Sequence, residues 1–282
     1  MKVLFRIPVM FGKKQNLIVG LTTYYLENLA ISISGLSQIS ERFTLIIYND
    51  NPDKTVTADM VREYGYMGPL HIINGANNIG LMRARLAILD MVNTRKKVPE
   101  WIVFVDDDDI LLNVKVPDVS RNNFAVIQNM VVLRTRLRDV LRVIRDSSDY
   151  SIDDENVCLI RPHIGLAGTL IRTESAIRMG AVLRDVSDGI SEIDTSLSFR
   201  APTDLMMWSA LNIVSRYDND GATPIYMDTI NYLATDLDSA PTKYGLPIAP
   251  AKNATAQIRA ALSKYDALIR AALSSAAPTG QE

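Results

Sequence analysis

Short apolar runs alternate with amphipathic segments along the first 110 residues. The apolar runs occur at 17–24, 43–48, 70–73 and 101–105. Because these runs lack polar–apolar alternation, they are typical of strands that are buried on both faces of a parallel sheet. Segments with apolar residues every three or four positions, which predict helices, occur at 27–40, 57–64 and 81–92. The repeated strand–helix–strand order predicts an α/β fold, with a mainly parallel twisted sheet flanked by helices.

The rest of the chain is less regular. Strands are predicted at 125–133 and at both ends of 158–172, and helices at 134–145, 174–179 and 254–273. The segment 201–204 is expected to precede a further helix through 208–214, which Thr203 or Asp204 can cap. Gly180 is expected to end the helix that begins at 174. Three prolines between 241 and 250 indicate an extended connector before the last helix. The apolar stripe of this last helix is expected to pack on the body of the domain or on a second copy, as a homodimer.

Composition narrows the function classes. The chain has 282 residues and a formal net charge of −2, which argues against a general nucleic-acid-binding protein, since that needs a broad basic surface. Cys158 is the single cysteine, so neither an intramolecular disulfide nor a cysteine-rich metal site is expected. With only His71 and His163, a multi-histidine zinc site is not expected, and any metal must be held mainly by carboxylates.

Charge is unevenly distributed in the middle of the chain. Residues 121–145 hold six arginines and one acid, Asp139, and an acidic segment follows at 146–155. The simpler interpretation is a solvated basic helix beside an acidic loop. Contact with an anionic acceptor, or peripheral contact with an anionic membrane surface, stays open as an alternative. No apolar run approaches the roughly 18 residues of a transmembrane helix, and a cytoplasmic protein is expected.

The clearest chemical signal lies at the end of the fourth apolar run. The run 101–105 leads directly into four consecutive acids, Asp106 to Asp109. Ligands of open α/β sheets bind at the carboxyl edge of the strands, where these acids are expected to lie. Four adjacent carboxylates are tolerated if water solvates them or a cation neutralises them, and oxygen ligands suit Mg²⁺ or Mn²⁺. Taken alone, the stretch leaves a solvated acidic turn and a metal site equally open.

Four motifs in order resemble those of nucleotide-sugar-dependent glycosyltransferases with the GT-A fold, closest to family 2. They are a strand ending in Thr22-Thr23-Tyr24, a strand ending in Asp50, the segment Asn78-x-Gly80-x-x-x-Ala84-Arg85, and the apolar strand into Asp106-x-Asp108-Asp109. An Asp-x-Asp pair alone occurs by chance in many chains, but four elements in the family's order are far more specific. The resemblance implies one GT-A domain over 1–240, with a nucleotide-binding half at about 1–110 and an acceptor half at about 111–240. A connector and a C-terminal amphipathic helix follow at 241–282.

The resemblance also implies roles for the residues at the strand ends. Thr22, Thr23 and Tyr24 would line the pocket for the base and ribose. Asp50 would accept hydrogen bonds from the edge of uracil or another base. If the strands are parallel, these side chains and the acid cluster crowd one edge of the sheet.

Two arginines and three acids would lie near the diphosphate by the same resemblance. Arg85, with Arg83, would reach the base or the phosphates. Asp106 would contact the ribose and, with Asp108, bind the Mn²⁺ or Mg²⁺ that bridges the diphosphate. Asp107 belongs to the nucleotide-binding group by position, but as the x residue it is expected to face away. A divalent ion there would stabilise the negative charge that grows on the leaving diphosphate.

The catalytic base is a separate question. Family members carry an acid, often within a Glu-Asp pair, at the start of a later helix, and Thr203-Asp204 occupies that place here. Asp204 is the candidate general base that would deprotonate the acceptor hydroxyl, and a plain helix cap is an equal alternative. The fallback bases are Asp188, Glu192 and Asp194, and candidates for a third metal ligand are His163 and Asp228.

The sequence therefore predicts a metal-dependent glycosyltransferase that moves a sugar from a nucleoside-diphosphate sugar, with UDP favoured, to an unknown hydroxyl acceptor. Two alternatives remain. A glycosyltransferase-like protein that binds the nucleotide sugar without turnover is compatible with Thr203 standing where the family often has Glu. A nucleotidyltransferase would need a glycine-rich phosphate loop near the first strand, and Leu21-Thr22-Thr23-Tyr24 has none, which disfavours it.

Overall fold

The computed structural model describes residues 17–116, 118–133, 157–160, 165–187, 189, 203–235 and 254–276. Some sequence predictions lie outside these residues, namely those on the basic helix 134–145, the acidic segment 146–155, the connector 241–250, His163, Asp188, Glu192 and Asp194.

Four parallel strands form the first half of the sheet, in the order β3-β2-β1-β4. They are β1 (Leu17–Thr23), β2 (Thr44–Asn49), β3 (Leu70–Asn74) and β4 (Trp101–Asp106). The helices between them are α1 (Leu26–Ser37), α2 (Ala58–Glu63) and α3 (Leu81–Asn93). Nearly every residue of β1, β2 and β4 is buried, because α1 and α2 pack on one face of the sheet and α3 on the other. The predicted repeat of strands and helices is confirmed.

The second half of the sheet mixes strand directions. It contains β5 (Ile110–Leu111), β6 (Asn123–Leu133), β7 (Val157–Ile160), β8 (Leu170–Arg172) and β9 (Thr223–Thr235). The order continues from β4 as β8-β6-β9-β5, with β7 beside β6. β8 is antiparallel to both β4 and β6, whereas β9 is parallel to β6, so β6 and β9 run in the direction of β4. The predicted fold class is confirmed as a mixed α/β fold with a curled, mainly parallel sheet flanked by helices.

Strand β9 has no counterpart among the sequence predictions. Its segment is interrupted by polar residues, including Asp228 and Asn231, so it shows neither a continuous apolar run nor strict alternation. Its register with β6 shifts at three places, and each shift breaks the period of two on which such a prediction depends.

Helix α4 (Thr173–Asp185) is longer than the sequence predicts. Gly180 was expected to end it, and that expectation is wrong. Gly180 is buried, and a Cβ atom there would lie 3.1 Å from Leu89 Cδ1 of α3. Glycine thus allows α4 and α3 to approach closely, and this packing outweighs the roughly 1 kcal/mol that glycine costs inside a helix relative to alanine.

The remaining helices are α5 (Thr203–Asp218) and α6 (Ala254–Ala276). In α6, Tyr265, Ile269 and Leu273 are buried in the same core cluster as residues of α4 and α5. Ser209 Oγ of α5 also donates to Asp266 Oδ1 at 2.7 Å. The predicted apolar stripe of the last helix therefore packs on the body of its own chain. Within the described ranges, no helix is long and apolar enough to cross a membrane.

Candidate functional site

Polar side chains at the carboxyl ends of β1, β2 and β4 converge on one cleft of about 210 Å³. The lining residues are Thr22, Thr23, Tyr24, Tyr25, Asp50, Leu81, Ala84, Asp106, Asp107 and Asp108. Parallel strands in register deliver their last residues to one edge, and Thr22 pairs directly with Asp106 across β1 and β4. Among the described residues, the cleft brings together the predicted nucleotide residues other than the two arginines, and both residues of the predicted Asp106–Asp108 metal pair.

The two arginines of α3 lie elsewhere. Arg85 is completely buried, and its Nη2 donates to Asp106 Oδ1 and Oδ2 at 3.0 and 3.2 Å. Its guanidinium carbon lies 5.7 Å from the centre of the Phe104 ring. Arg83 is exposed and does not line the cleft, since positions two apart on a helix point about 200° apart. In this structure the Arg85 guanidinium orients Asp106 and does not line the cleft, and its role toward the nucleotide stays a prediction.

Asp107 holds the turn that follows β1. Its Oδ2 accepts hydrogen bonds from Thr23 Oγ1 at 2.8 Å and from the backbone amides of Tyr24 and Tyr25, both at 2.9 Å. Burial, followed by the charge of Asp108, raises the pKa of the Asp107 carboxyl to about 6, although the three hydrogen bonds oppose the shift. The side chain thus points at the backbone of the cleft wall and fixes the shape of that wall.

Asp50 fixes the start of α3. Its two carboxylate oxygens accept from the amides of Ile79 and Gly80 at 2.7 and 2.9 Å, and Asn78 Oδ1 lies 3.1 Å from the same Gly80 amide. Gly80 has a φ of +81°, a conformation that glycine adopts without strain. This geometry explains the Asn-x-Gly motif, and a carboxylate here also complements the positive end of the helix dipole. Asp50 still lines the cleft, where a carboxylate can accept further hydrogen bonds.

The carboxylates of Asp106 and Asp108 are partly exposed in the cleft. Thr22 Oγ1 donates to Asp106 Oδ1 at 3.1 Å, so Asp106 is tied to both Thr22 and Arg85. Across the part of the chain that the structure describes, no three His, Cys, Asp or Glu side chains form a group that could hold a metal by themselves. Mg²⁺ is normally bound through one or two carboxylates together with waters and substrate phosphates, so this pair fits such an ion when a diphosphate is bound.

Two residues that sequence reasoning missed support the acid turn and the β1–α1 turn. Ser32 Oγ, buried on α1, lies 2.6 Å from the carbonyl oxygens of both Asp107 and Asp109 and can donate to either. Asn51 Nδ2 donates to the Tyr24 carbonyl at 2.9 Å. A small polar residue within the apolar face of a predicted helix was the available signal for Ser32.

Tyr232 of β9 connects the second half of the sheet to the acid turn. Its hydroxyl donates to Asp109 Oδ2 at 2.6 Å and lies 3.4 Å from the Asp106 amide. Burial, then the charges of Asp109 and Asp106, raise the pKa of the Tyr232 phenol well above its ordinary value, so the hydroxyl stays a donor. Gly168, with a φ of +75°, lies so close to the Tyr232 ring that a Cβ atom would approach Cγ to 2.6 Å. No sequence motif pointed to this contact.

The proposed base and one proposed metal ligand lie in the second half of the sheet and its helices. Helix α5 begins at Thr203 itself, which was expected to precede the helix, and this places Asp204 in the first turn. The Asp204 side chain is outside what the structure describes. Asp228 of β9 is exposed and does not line the cleft. Its Oδ1 accepts from Asn129 Nδ2 at 2.7 Å and lies 3.1 Å from the Tyr226 hydroxyl.

Comparison with known protein families supports glycosyl transfer as the chemistry of this site. The family described as glycosyl transferase family 2 matches residues 25–119, which contain Asp50, the α3 motif and the acid turn. This match supports a glycosyltransferase. The match leaves out Thr22 to Tyr24 as well as Asp204, and no curated protein matches the chain.

Two solved glycosyltransferases are similar at low identity. One is a mannosyltransferase from Pyrobaculum calidifontis, in complex with GDP-Man and Mn²⁺, at 12% identity and a TM-score of 0.42, covering 95% of this chain and 76% of that one. The other is the glycosyltransferase GlyE of Streptococcus pneumoniae, at 9% identity and a TM-score of 0.38, covering 96% of this chain and 66% of that one.

Proposed function

We propose that the protein transfers a sugar from a nucleoside-diphosphate sugar to an acceptor hydroxyl with the help of Mn²⁺ or Mg²⁺, and that UDP is the favoured nucleotide. The observation that carries the proposal is the convergence of Thr22, Asp50, Asp106 and Asp108 on one cleft at the carboxyl edge of the parallel strands. The cleft offers acceptors for a base at one end and two carboxylates for a metal at the other.

The donor would lie along the edge from β2 to β4. Asp50 would accept from the N–H groups of the base, and Tyr24 would line the base and ribose pocket. Asp106 and Asp108 would hold the divalent ion, which would neutralise the charge of the departing diphosphate. Arg85 and Thr22 would keep the Asp106 carboxylate in one orientation throughout, because both contacts already exist.

The transfer step requires a base on the acceptor side. In the proposal, the Asp204 carboxylate takes the proton of the acceptor hydroxyl, and that oxygen forms a bond to the anomeric carbon of the sugar. The bond between this carbon and the diphosphate oxygen breaks, and the nucleoside diphosphate leaves with the electron pair. The position of Asp204 in the first turn of α5 is what supports its assignment.

A second candidate function is binding of a nucleotide sugar without turnover. It is favoured by Thr203, which stands where related enzymes often carry Glu. Asp204→Asn separates the two functions. If the protein is an enzyme, this variant binds nucleotide normally and loses turnover; a binding protein shows neither transfer nor donor hydrolysis before or after the change.

We also propose a single domain over 1–240, a cytoplasmic location and, as the less favoured alternative to a solvated basic segment at 134–145, contact of that segment with an anionic membrane surface. Fractionation of cell extracts would test the location. Binding to anionic vesicles, compared between the wild type and a variant with the arginines of 134–145 replaced by uncharged residues, would test the membrane contact.

Thermal unfolding with UDP, GDP or CDP, each with and without Mn²⁺, tests the donor site. A ligand present at 100 times its Kd and bound only to the folded state adds about 2.7 kcal/mol to the free energy of unfolding. We expect a metal-dependent rise in Tm with at least one nucleotide, abolished by Asp108→Ala. Asp220→Ala is the matched control, because Asp220 is exposed and precedes β9, at the opposite edge of the sheet. No metal-dependent rise with any of the three nucleotides would contradict the proposal.

A further inference from the structure

A second group of polar side chains lies on β6 and β9, outside the donor cleft. We name Asn129, Tyr226 and Asp228 the β6–β9 cluster. The Tyr226 hydroxyl donates to Asn129 Oδ1 at 2.7 Å, and Asn129 Nδ2 donates to Asp228 Oδ1 at 2.7 Å. Asn129 is almost fully buried, whereas the Tyr226 side chain is 46% exposed and Asp228 is also exposed. The cluster therefore presents an aromatic ring and a carboxylate to solvent on a firmly held base.

Strand register places the cluster at the same edge as the donor cleft. Ile102 of β4 and Ala125 of β6 both pair with Ile171 of β8, so they are level across the sheet. β4 and β6 run in the same direction, and four residues later they reach Asp106 and Asn129. Two strand spacings of nearly 5 Å put the backbones of these two residues about 10 Å apart.

A bulge in β9 brings the exposed members of the cluster together. Between Ile127 and Asn129, β6 advances two residues while β9 advances from Tyr226 to Ile230. Bulges of this kind redirect side chains and are over-represented beside active sites. Here the extra residues of β9 include Asp228, which can therefore lie beside Tyr226 and Asn129.

The helix that carries the proposed base begins near the same edge. The Asn219 amide nitrogen Nδ2, just after the end of α5, lies 3.4 Å from Asn122 Oδ1, just before the start of β6. Helix α5 therefore runs opposite to β6, with its first turn toward the carboxyl edge. Trp208, in the second turn of α5, packs against Phe124, with 6.3 Å between the ring centres. The donor cleft and the β6–β9 cluster thus share one edge, and the first turn of α5 is nearer to that edge than its last turn.

We propose that the β6–β9 cluster is the acceptor subsite and that it takes a neutral sugar or another neutral polyhydroxyl compound. This inference rests on the proposed glycosyl transfer. An aromatic face packs against the apolar C–H face of a sugar ring, and a carboxylate beside an amide offers acceptors and donors for neighbouring hydroxyls. Five carboxylates, those of the cluster and of the acid turn Asp106 to Asp109, stand at this edge and disfavour an anionic acceptor.

Glycoside binding by the full-length protein tests the subsite. Methyl α-D-glucopyranoside, methyl α-D-mannopyranoside and methyl β-D-galactopyranoside are titrated by ligand-observed NMR, with and without UDP and Mn²⁺. At least one is expected to bind. Tyr226→Ala should weaken it about five- to tenfold through loss of the ring face, and Asp228→Asn about tenfold through loss of a charged acceptor. Tyr217→Ala, which removes a tyrosine of similar exposure (51%) from the opposite end of α5, should leave the affinity unchanged.

Two further measurements separate loss of the subsite from unfolding of the variant and from loss of donor binding. Tyr226→Phe retains the ring and should lose less affinity than Tyr226→Ala, so a variant that merely unfolds is recognised by an equal loss in both and a lowered Tm. Thermal shift with UDP and Mn²⁺ in the same samples reports the donor site separately. If the donor binds but no glycoside binds, or if both cluster variants bind glycoside like the wild type, the subsite is wrong. If the nucleotide fails to bind, the proposed function fails, and glycoside titration without nucleotide still decides the fate of the cluster.

Discussion

The two halves of the sheet place their polar residues by different means. In the parallel half, β1, β2 and β4 end together, so Thr22, Asp50 and Asp106 meet through strand register alone. In the mixed half, residues meet through long-range pairing and irregular register: Tyr232 reaches Asp109 from 123 positions away. The first half therefore builds a site that is encoded locally at the strand ends. The second half builds contacts that exist only once the whole sheet has formed.

In both halves of the sheet, buried side chains hold the residues of the site in place. In the parallel half, the buried groups hold the residues that face the cleft: Arg85 holds Asp106, and Asp107 holds the turn at Tyr24. In the mixed half, the Tyr232 hydroxyl holds Asp109 of the acid turn, and Gly168 allows close packing on the Tyr232 ring. The acid turn is thus held by contacts from both halves of the sheet, and a substitution can remove either set of contacts without the other.

The largest expected effect comes from removing the Arg85 side chain, which holds Asp106 in the parallel half of the sheet. Arg85→Ala removes a fully buried guanidinium and leaves the Asp106 carboxylate without this partner, so the free energy of unfolding should fall by about 3–5 kcal/mol. Arg83→Ala, two positions away on the exposed side of α3, should change it by less than about 0.5 kcal/mol. Urea denaturation of both variants measures the difference. Equal effects would show that Arg85 is not the support described here.

A pair of glycine substitutions tests the close packing of Gly168 on the Tyr232 ring in the mixed half. Gly168→Ala should cost about 2–4 kcal/mol, because a positive φ is strained for alanine and the new Cβ meets the Tyr232 ring at 2.6 Å. Gly80→Ala has a similar φ of +81° with no atom within 4 Å of the new Cβ, so it should cost only the backbone strain, about 1–3 kcal/mol, and less than Gly168→Ala. Thermal unfolding of both variants isolates the contribution of ring contact. A cost for Gly168→Ala no greater than that for Gly80→Ala would contradict the close packing at Tyr232.

A smaller effect is expected from removing one hydroxyl. Tyr232→Phe loses the hydrogen bond to the Asp109 carboxylate and should cost about 1.5–3 kcal/mol. Tyr217→Phe, whose hydroxyl meets the Leu273 carbonyl at 3.3 Å near the surface, should cost less than about 1 kcal/mol. If the acid turn depends on Tyr232, nucleotide affinity in the presence of Mn²⁺ should also fall in Tyr232→Phe but not in Tyr217→Phe. Unchanged affinity would show that the two halves are independent.

Sequence reasoning succeeded where local pattern and final position coincide. Continuous apolar runs predicted the parallel strands, and the residues at their ends became the lining of the cleft. Direction along the chain was sufficient there, because a parallel sheet gathers its strand ends at one edge.

Sequence reasoning was less complete where the role of a side chain depends on the direction in which it points. Arg85 and Arg83 looked equivalent as basic residues early in a helix, yet one is buried against Asp106 and the other is exposed. Gly180 looked like a helix end, but tight packing on Leu89 keeps it inside α4. Strand β9 and its Tyr232 contact could not be predicted, because polar residues and register shifts remove the periodic signal.

A crystal structure with UDP and Mn²⁺ soaked together tests the central claim most directly. The account predicts the uracil beside Asp50, the diphosphate at the end of β4, and the ion roughly 2.0–2.3 Å from an Asp108 carboxylate oxygen. The Arg85 guanidinium should remain on Asp106 and make no contact with the nucleotide. A diphosphate bound away from Asp106 and Asp108, or a base far from Asp50, would contradict the account.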